Sequence, residues 1–128
     1  MKVLLSIKPE YAFKIFEGKK KFEFRKVIFK NPNVKTVVVY ASSPVQKVIG
    51  EFEIEDILTS SPSNIWKLTK KHSGISEDFF YKYFANRDIA HAIKIRKIKK
   101  YKTPLSLKKD FNVLPPQSYL YLDNNKVN

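Results

Sequence analysis

The residues with the clearest chemical potential lie in one short stretch, Gly18–Arg25. Apolar and charged residues alternate at its end, which predicts a strand with Glu23 and Arg25 on one face, because side chains on a face repeat every two residues. Arg is a planar fork donor, a carboxylate accepts from exocyclic amines, and Lys20 adds a cation at the strand entrance. The cluster could recognise a polar heterocycle or a phosphate. The alternative is a solvated strand face with a surface ion pair.

Composition excludes several other classes of site. The chain has 128 residues, no cysteine and only two histidines, His72 and His91. These counts exclude a disulfide scaffold, a cysteine nucleophile, thiolate zinc sites and a three-histidine zinc site. Only three glycines are present, and no Gly-rich phosphate loop is found. Glu51, Glu53 and Glu55 share a predicted strand face that is more typical of a solvated surface than of a metal site, so we expect no cofactor and no metal.

The positive charge is concentrated at the two ends of the chain. The net charge is +13; residues 1–35 and residues 94–128 contribute +7 each, whereas residues 36–66 contribute −3. If the ends meet in the fold, they form a basic face that attracts polyanions, because each contacted phosphate releases counterions. Since 22 of the 25 basic residues are lysines, a lysine-rich composition is the alternative explanation.

Hydrophobic periodicity and turn residues predict the element order β-α-β-β-β-α-α-β-β. The predicted strands are Val3–Ile7, Phe22–Arg25, Val37–Ala41, Val48–Leu58, His91–Tyr101 and Gln117–Leu122; one helix starts at Pro9, and two follow the caps Ser61 and Ser76. Ile93 and Ile95 share one strand face, whereas Ile98 falls on the opposite face, which predicts a β-bulge near Arg96–Lys97. Four aromatic residues at helical spacing are predicted to be core: Phe79, Phe80, Tyr83 and Phe84.

This order lacks parallel βαβ alternation and has few helices, which predicts an α+β fold, a small β-barrel of about six strands with helices packed outside. We expect a single domain over residues 1–122 and a flexible C-terminal tail over residues 123–128. No apolar run approaches the length of a membrane span, and the N-terminal apolar run is too short for a signal peptide. We therefore expect a cytoplasmic protein without a membrane contact.

The stretch Gly18–Arg25 also fits the motif Gly-x-Lys-x-x-Glu-x-Arg, directly after an N-terminal strand and helix. Four other segments contribute to the resemblance described next: Ser6–Pro9, Val39–Pro44, Ile49–Phe52 and Pro115–Tyr119. On these residues the chain resembles the ASCH domain family, a branch of the PUA-like superfamily, over roughly residues 2–122. It is similar to the small stand-alone ASCH proteins described as predicted transcriptional regulators.

The resemblance implies a β-barrel whose cleft is lined by the motif residues, and a function related to RNA, because PUA-like domains typically bind RNA. RNA or a nucleotide-like ligand is the expected partner, in preference to DNA, since no recognition helix with base-reading residues is found. The sequence leaves the oligomeric state and any regulatory target open.

An enzyme is the alternative that the resemblance leaves open. One ASCH branch is an amidohydrolase that removes the acetyl group from acetylcytidine, and another has been assigned ribonuclease activity. The amidohydrolases share the lysine that matches Lys20, but their threonine nucleophile is replaced by Glu23, whose attack on an amide would give an anhydride. In a hydrolase, Lys20 would act as general base or electrostatic stabiliser, and Glu23 would activate water.

The remaining candidate ligand-binding residues are polar and lie at predicted strand ends: Ser6, Lys8, Ser42, Ser43, Gln117 and Ser118. Ser6 and Lys8 share a strand face that can reach the same cleft. The two serines before Pro44 either donate to a ligand or satisfy a turn. The last two follow Pro115 and Pro116, which fix the backbone and could aim them at a base edge. Three tyrosines could stack on unpaired bases or belong to the core: Tyr40, Tyr119 and Tyr121.

Overall fold

The computed structural model of the protein describes residues 1–123, so most of the predicted tail, residues 124–128, lies outside the described residues. The elements are β1 (Lys2–Ile7), α1 (Pro9–Phe16), β2 (Phe22–Arg25), β3 (Thr36–Ala41), β4 (Lys47–Ser60), α2 (Pro62–Thr69), α3 (Glu77–Tyr83), β5 (Ala90–Leu105) and β6 (Leu120–Leu122). This is the predicted order. Two short helical turns were not predicted, a 3₁₀ turn at Lys70–His72 and a π-helical turn at Leu107–Phe111.

Within residues 1–123, the six strands form one sheet in the order β2-β5-β4-β3-β1-β6. β1 and β3 are parallel, and the other neighbours are antiparallel. The sheet is barrel-like but is not closed by backbone pairing, since β2 and β6 remain at its edges. The predicted α+β fold with a six-stranded barrel and helices is confirmed.

The long β4–β5 pair contains the predicted β-bulge. Its register shifts between Glu53 and Ile54, whose partners are Lys97 and Ile95, so that Arg96 has no partner in the ladder. An extra residue in one strand reverses the parity of the side chains that follow it. The phase change between Ile95 and Ile98 therefore has the predicted cause.

Both faces of β1 and β3 are buried, which explains the nearly continuous apolar run of β3. One face packs with Ala12 and Ile15 of α1 in the main core. The opposite face, which includes Leu4 and Val38, is covered by Leu107 and other residues of the π-helical turn. A third cluster packs the two phenylalanines of β2 against α2 and α3. Among the described residues, no helix is long and apolar enough to cross a membrane.

The last strand is shorter than predicted. β6 contains only Leu120–Leu122, whereas Gln117 and Ser118 form a bend. The two preceding prolines lack the backbone N–H that a strand ladder needs. The carbonyls of Pro116 and Ser118 are instead hydrogen bonded to side chains of β1 and β2, which brings this segment to the functional site.

Candidate functional site: a cleft between β1, β2 and α3

A cleft of about 340 Å³ lies where the ends of β1 and β2 approach α3. Six of the predicted ligand-binding residues line it: Ser6, Lys8, Lys20, Glu23, Arg25 and Gln117. Ser118 contributes its carbonyl to Arg25 beside the cleft. Ser42 and Ser43 do not line it but form the turn after β3, where the Ser42 N–H donates to the Ile7 carbonyl (3.0 Å). The cleft geometry therefore offers no support for a ligand contact at these two serines.

Glu23 and Arg25 form a buried ion pair. Arg25 Nη1 lies 3.3 Å from Glu23 Oε2, and the two side chains are only 12% and 8% exposed. The same guanidinium donates to the carbonyls of Ser6 (3.2 Å) and Ser118 (2.8 Å). The alternative of a solvated strand face is therefore wrong. Arg25 links the two edges of the open sheet, because Ser6 lies in β1 and Ser118 leads into β6.

Lys20 is the second buried cation of the cleft and is only 2% exposed. Its Nζ donates to the Ser73 carbonyl (2.8 Å) and lies 4.5 Å from the centre of the Phe24 ring. Burial lowers the pKa of Lys20 to about 8; the Glu23 carboxylate opposes this change, and Lys14 adds to it. Lys20 is consequently a cation at neutral pH that loses its proton near pH 8.

A loop after the 3₁₀ turn holds the Lys20 segment in place. The Lys21 N–H donates to the His72 carbonyl (2.9 Å), and Lys14 Nζ donates to the Gly74 carbonyl (3.2 Å). Gly74 has φ +71°, and a Cβ at this position would lie 2.5 Å from Lys20 Cβ. Sequence analysis missed this contribution, because backbone carbonyls have no residue-type signature; the only available signal was a glycine after a helix.

One wall of the cleft is aromatic. Tyr11 of α1 lies 5.3 Å from Phe79 of α3, and Phe79 is stacked on Tyr83 at 6.3 Å with an interplanar angle of 19°. Phe80 and Phe84 are buried, and Tyr83 packs against the same cluster, so the core prediction is confirmed for these three residues. It is wrong for Phe79, and it did not include the position of Phe79 and Tyr83 in the cleft wall. Residues four apart share a helix face, so the two pairs lie on adjacent faces, one toward the cleft and one toward the core.

Two further lysines flank the aromatic wall. Lys8 Nζ lies 5.7 Å from the centre of the Phe79 ring, and Lys26 Nζ lies 4.7 Å from that of Tyr83. Burial raises the pKa of the Tyr83 phenol, so this side chain keeps its proton at neutral pH. The cleft therefore combines cations, one carboxylate, phenols and aromatic rings.

The other tyrosines considered for stacking do not line the cleft. Tyr40 is buried on the outer face of β3. The ring of Tyr119 packs against Tyr121 (5.3 Å), whose hydroxyl accepts hydrogen bonds from the backbone of Lys30 and Asn31. These contacts give the three residues structural roles.

Comparisons with known proteins agree with this fold. The family model of the ASCH domain matches residues 5–99. An ASCH domain-containing ribonuclease from Zymomonas mobilis is 30% identical over 123 residues, which cover 93% of this chain and 82% of that protein. The crystal structure of ASCH from Z. mobilis has a TM-score of 0.90 and 29% identity, and covers 98% of this chain and 90% of that one. The N-terminal domain of Staphylothermus marinus McrB shares the fold alone, with a TM-score of 0.54 at 14% identity.

Two longer proteins of Ureaplasma parvum serovar 3 also match. The large ribosomal subunit protein uL22 is 32% identical over 124 residues, and ATP synthase subunit alpha is 37% identical over 122 residues. Each match covers 94% of this chain, but the chain spans only 39% and 15% of the length of these relatives. The family match covers most of the chain, and the ribonuclease and its structure match over most of their length. The chain therefore belongs to the ASCH domain family.

Proposed function

We propose that this ASCH domain binds single-stranded RNA and holds one unpaired nucleotide in the cleft. The observation that carries the proposal is the position of buried Lys20 and Glu23, together with partly buried Arg25, directly beside an aromatic wall. Single-stranded RNA is commonly recognised by stacking its bases on aromatic rings and by hydrogen bonding to their edges. A volume of about 340 Å³ lies at the lower end of the range for small-ligand sites, which suits one nucleotide.

Each group of the cleft has a matching part of a nucleotide. Phe79 and Tyr83 offer ring faces for the base. The Glu23 carboxylate, oriented by Arg25, can accept from an exocyclic amine. Lys8 is exposed at the rim and can contact a phosphate.

An RNA chain is favoured over a free nucleotide for two reasons. The net charge of +13 supports a polyanionic partner. The relative named as a ribonuclease, which this chain matches over most of its length, supports RNA as that partner. A regulatory role, which the resemblance to predicted transcriptional regulators implies, would in this proposal act through the RNA contact.

The second candidate function is hydrolysis of RNA. It is favoured by the pKa of Lys20 of about 8, by the adjacent buried carboxylate and by the ribonuclease relative. Glu23 would accept a proton from the attacking water as the water oxygen bonds to phosphorus, while the bond from phosphorus to the leaving oxygen breaks and that oxygen takes up a proton. Lys20 would stabilise the charge that develops on the phosphoryl oxygens. The acetylcytidine amidohydrolysis is not proposed, because Glu23 occupies the place of the threonine nucleophile.

The test compares two substitutions on α3. Phe79→Leu removes a ring of the cleft wall, whereas Tyr81→Leu removes an exposed ring outside the cleft. Binding of a labelled single-stranded RNA is measured by fluorescence anisotropy. Stacking contributes about 1–3 kcal/mol per base, so Phe79→Leu should weaken binding roughly 5- to 150-fold, and Tyr81→Leu should leave it nearly unchanged. Equal affinities of the two variants, or no binding at low salt, would contradict the proposal.

The same RNA is then analysed on a denaturing gel. Cleavage by the wild type that is lost in Glu23→Gln supports the hydrolase, because this change removes the basic carboxylate but keeps the shape of the side chain. Cleavage that persists in Glu23→Gln contradicts the role of Glu23. Intact RNA after prolonged incubation contradicts hydrolysis of this RNA and leaves the binding proposal standing.

A further inference from the structure

We propose that RNA bound in the cleft continues along the distal half of β5, on a basic strip formed by Lys97, Lys99, Lys100 and Lys102. The inference rests on the proposed function and extends it from one nucleotide to a longer segment of RNA. It assigns a backbone-binding surface that is separate from the cleft residues.

The strip is connected to the cleft through the turn before β2. Lys20 of this turn lines the cleft. The carbonyl of the next residue, Lys21, accepts a hydrogen bond from the Ile95 N–H (3.0 Å), which places the turn beside β5 just before the strip. The basic N-terminal and C-terminal parts of the chain meet at this contact. An RNA chain that leaves the cleft past Lys19 and Lys21 therefore encounters the strip next.

The strip lies on an open edge of the sheet. β2 pairs with β5 only over His91–Lys94, and beyond Ile95 the ladder of β5 is formed with β4 alone. Residues 96–100 are all exposed. Consecutive side chains alternate between the two faces of the sheet, so Lys97 and Lys99 flank this open edge on one face and Lys100 flanks it on the other. RNA that runs along the edge itself can be reached from both faces, because a lysine ammonium sits on a long and flexible stem.

The four lysines are not neutralised by neighbouring acids. The two basic residues that precede them on β5 are neutralised in this way. Lys94 is paired with Glu55 (2.8 Å), and Arg96 is paired with Glu53 (3.5 Å). Within residues 1–123, none of the four strip lysines forms an ion pair. Their charges are available to an external polyanion.

The two acidic residues opposite the strip are already engaged, and Glu53, opposite Lys97, is the partner of Arg96 (3.5 Å). Glu51 lies opposite Lys99 in the ladder. Its carboxylate accepts from Lys2 Nζ (3.2 Å) and from the Tyr101 hydroxyl (2.7 Å). Burial and this hydrogen bond raise the pKa of Tyr101, so the phenol remains a donor to Glu51. Glu51 therefore does not compensate Lys99.

The length and chemistry of the strip fit a nucleic-acid backbone. At about 3.3 Å per residue, the strip from Lys97 to Lys102 extends over about 17 Å. Stacked nucleotides repeat at about 3.4 Å along one strand, so a segment of this length can accompany about five nucleotides. Lysine is a mobile point charge without base selectivity, so the strip is expected to add affinity and salt dependence but no sequence preference.

The experiment uses two quadruple variants with the same loss of charge. The strip variant replaces Lys97, Lys99, Lys100 and Lys102 with Gln. The control variant replaces four exposed lysines outside the strip with Gln: Lys30, Lys35, Lys67 and Lys82. Each variant is titrated over a range of salt concentrations with a single-stranded RNA of about ten nucleotides, which can span cleft and strip, and with a dinucleotide, which fills only the cleft.

For the longer RNA, the slope of log affinity against log salt should become shallower in the strip variant. The expected change is about 0.7 per lost phosphate contact, or about 3 for four contacts. The control variant should keep the wild-type slope, and dinucleotide affinity should be the same in all three proteins. In a Lys99→Gln/Lys102→Gln variant, the slope should change by about half as much as in the quadruple strip variant. This double variant replaces the quadruple variant in the titration if the latter folds poorly.

Two negative results have different meanings. Equal slopes for the strip and control variants, with normal dinucleotide binding, would overturn the strip and leave the cleft proposal intact. A wild-type protein that binds neither RNA would overturn the proposed function itself. Lysines on an open strand edge also hinder pairing with a second copy of the chain; a strip variant that self-associates but keeps the wild-type slope would assign the lysines to that role and overturn the proposal.

Discussion

Replacement of Gly74 with alanine would directly perturb the position of Lys20. A Cβ on Gly74 would lie 2.5 Å from Lys20 Cβ and 2.6 Å from its Cγ, closer than such atoms can approach. The neighbouring Ser73 carbonyl holds Lys20 Nζ at 2.8 Å, so neither partner can move without affecting the other. The added methyl group must therefore displace the lysine side chain or the loop.

Gly18 provides the matched control for this substitution. It also has a positive φ, +77° against +71° at Gly74, but a Cβ there would meet nothing within 4 Å. Alanine in this left-handed conformation costs about 1–2 kcal/mol at either position. Gly74→Ala adds an overpacking cost of about 1–3 kcal/mol, so we expect a total of roughly 2–5 kcal/mol against about 1–2 kcal/mol for Gly18→Ala.

Two measurements separate positioning of Lys20 from loss of stability alone. Urea unfolding gives the free energies of unfolding of both variants. An NMR titration of the lysine Cε resonances, with Lys20 assigned by comparison with Lys20→Met, gives its pKa. In Gly74→Ala the ammonium should be better hydrated, and its pKa should rise from about 8 toward the ordinary 10.5, whereas Gly18→Ala should leave it near 8. Equal destabilisation by the two alanines, with the Lys20 pKa unchanged in both, would refute the reasoning.

The structure makes three further predictions. The pKa of Lys20 is about 8 in the folded state and 10.5 when unfolded, so the unfolded chain binds more protons between these two pH values. The free energy of unfolding of the wild type should therefore rise by about 3 kcal/mol from pH 8 to 10.5 relative to that of Lys20→Met. Urea unfolding of both proteins at the two pH values checks this, and an equal pH dependence would contradict it. Arg25→Met should lower the free energy of unfolding by roughly 3–5 kcal/mol, because it leaves the Glu23 carboxylate buried without its partner. The double variant Arg25→Met/Glu23→Gln should lose less stability in urea unfolding than the two single variants together, and strictly additive losses would contradict the coupling of the two residues. Gly50→Ala should cost about 1–3 kcal/mol in thermal or urea unfolding, because its Cβ would lie 2.7 Å from the Phe16 ring; an unchanged stability would contradict this packing.

The features that sequence predicted correctly depend on local patterns. The alternation of apolar and charged residues located β2, and the change of strand face between Ile95 and Ile98 located the bulge. The predicted cap residues Ser61 and Ser76 each accept a hydrogen bond from a backbone N–H at the start of their helices. These signals involve residues that are close together in the sequence, so they can be recognised without knowledge of the fold. The motif also indicated which three side chains belong together, since Lys20, Glu23 and Arg25 lie within six residues of one another.

The features that sequence did not predict depend on distant backbone groups. The burial of Glu23 and Arg25 was left open because the acceptors of Arg25 are carbonyls 19 and 93 positions away along the chain. The lowered pKa of Lys20 depends on its burial, and the loop that contacts this side chain lies 53 positions away along the chain at Ser73. The position of Phe79 and Tyr83 in the cleft wall could not be predicted without knowing which sides of the helix are covered, because helical spacing alone gives only a common apolar stripe.

The geometry around Arg25 explains why this position suits arginine rather than lysine. Three acceptors surround its guanidinium: the Glu23 carboxylate and the carbonyls of Ser6 and Ser118. A planar fork with five donors can satisfy all three at once in fixed directions, whereas an ammonium is a point charge on a flexible stem. Since Ser6 and Ser118 both lie across the gap from β2, the Arg25 side chain bridges the open sheet and also fixes the carboxylate that faces the cleft. Arg25 therefore contributes both to bridging the open sheet and to orienting the site. Substitutions at this position are expected to affect stability and the site together, so Phe79 and the strip lysines are better probes of the proposed RNA binding.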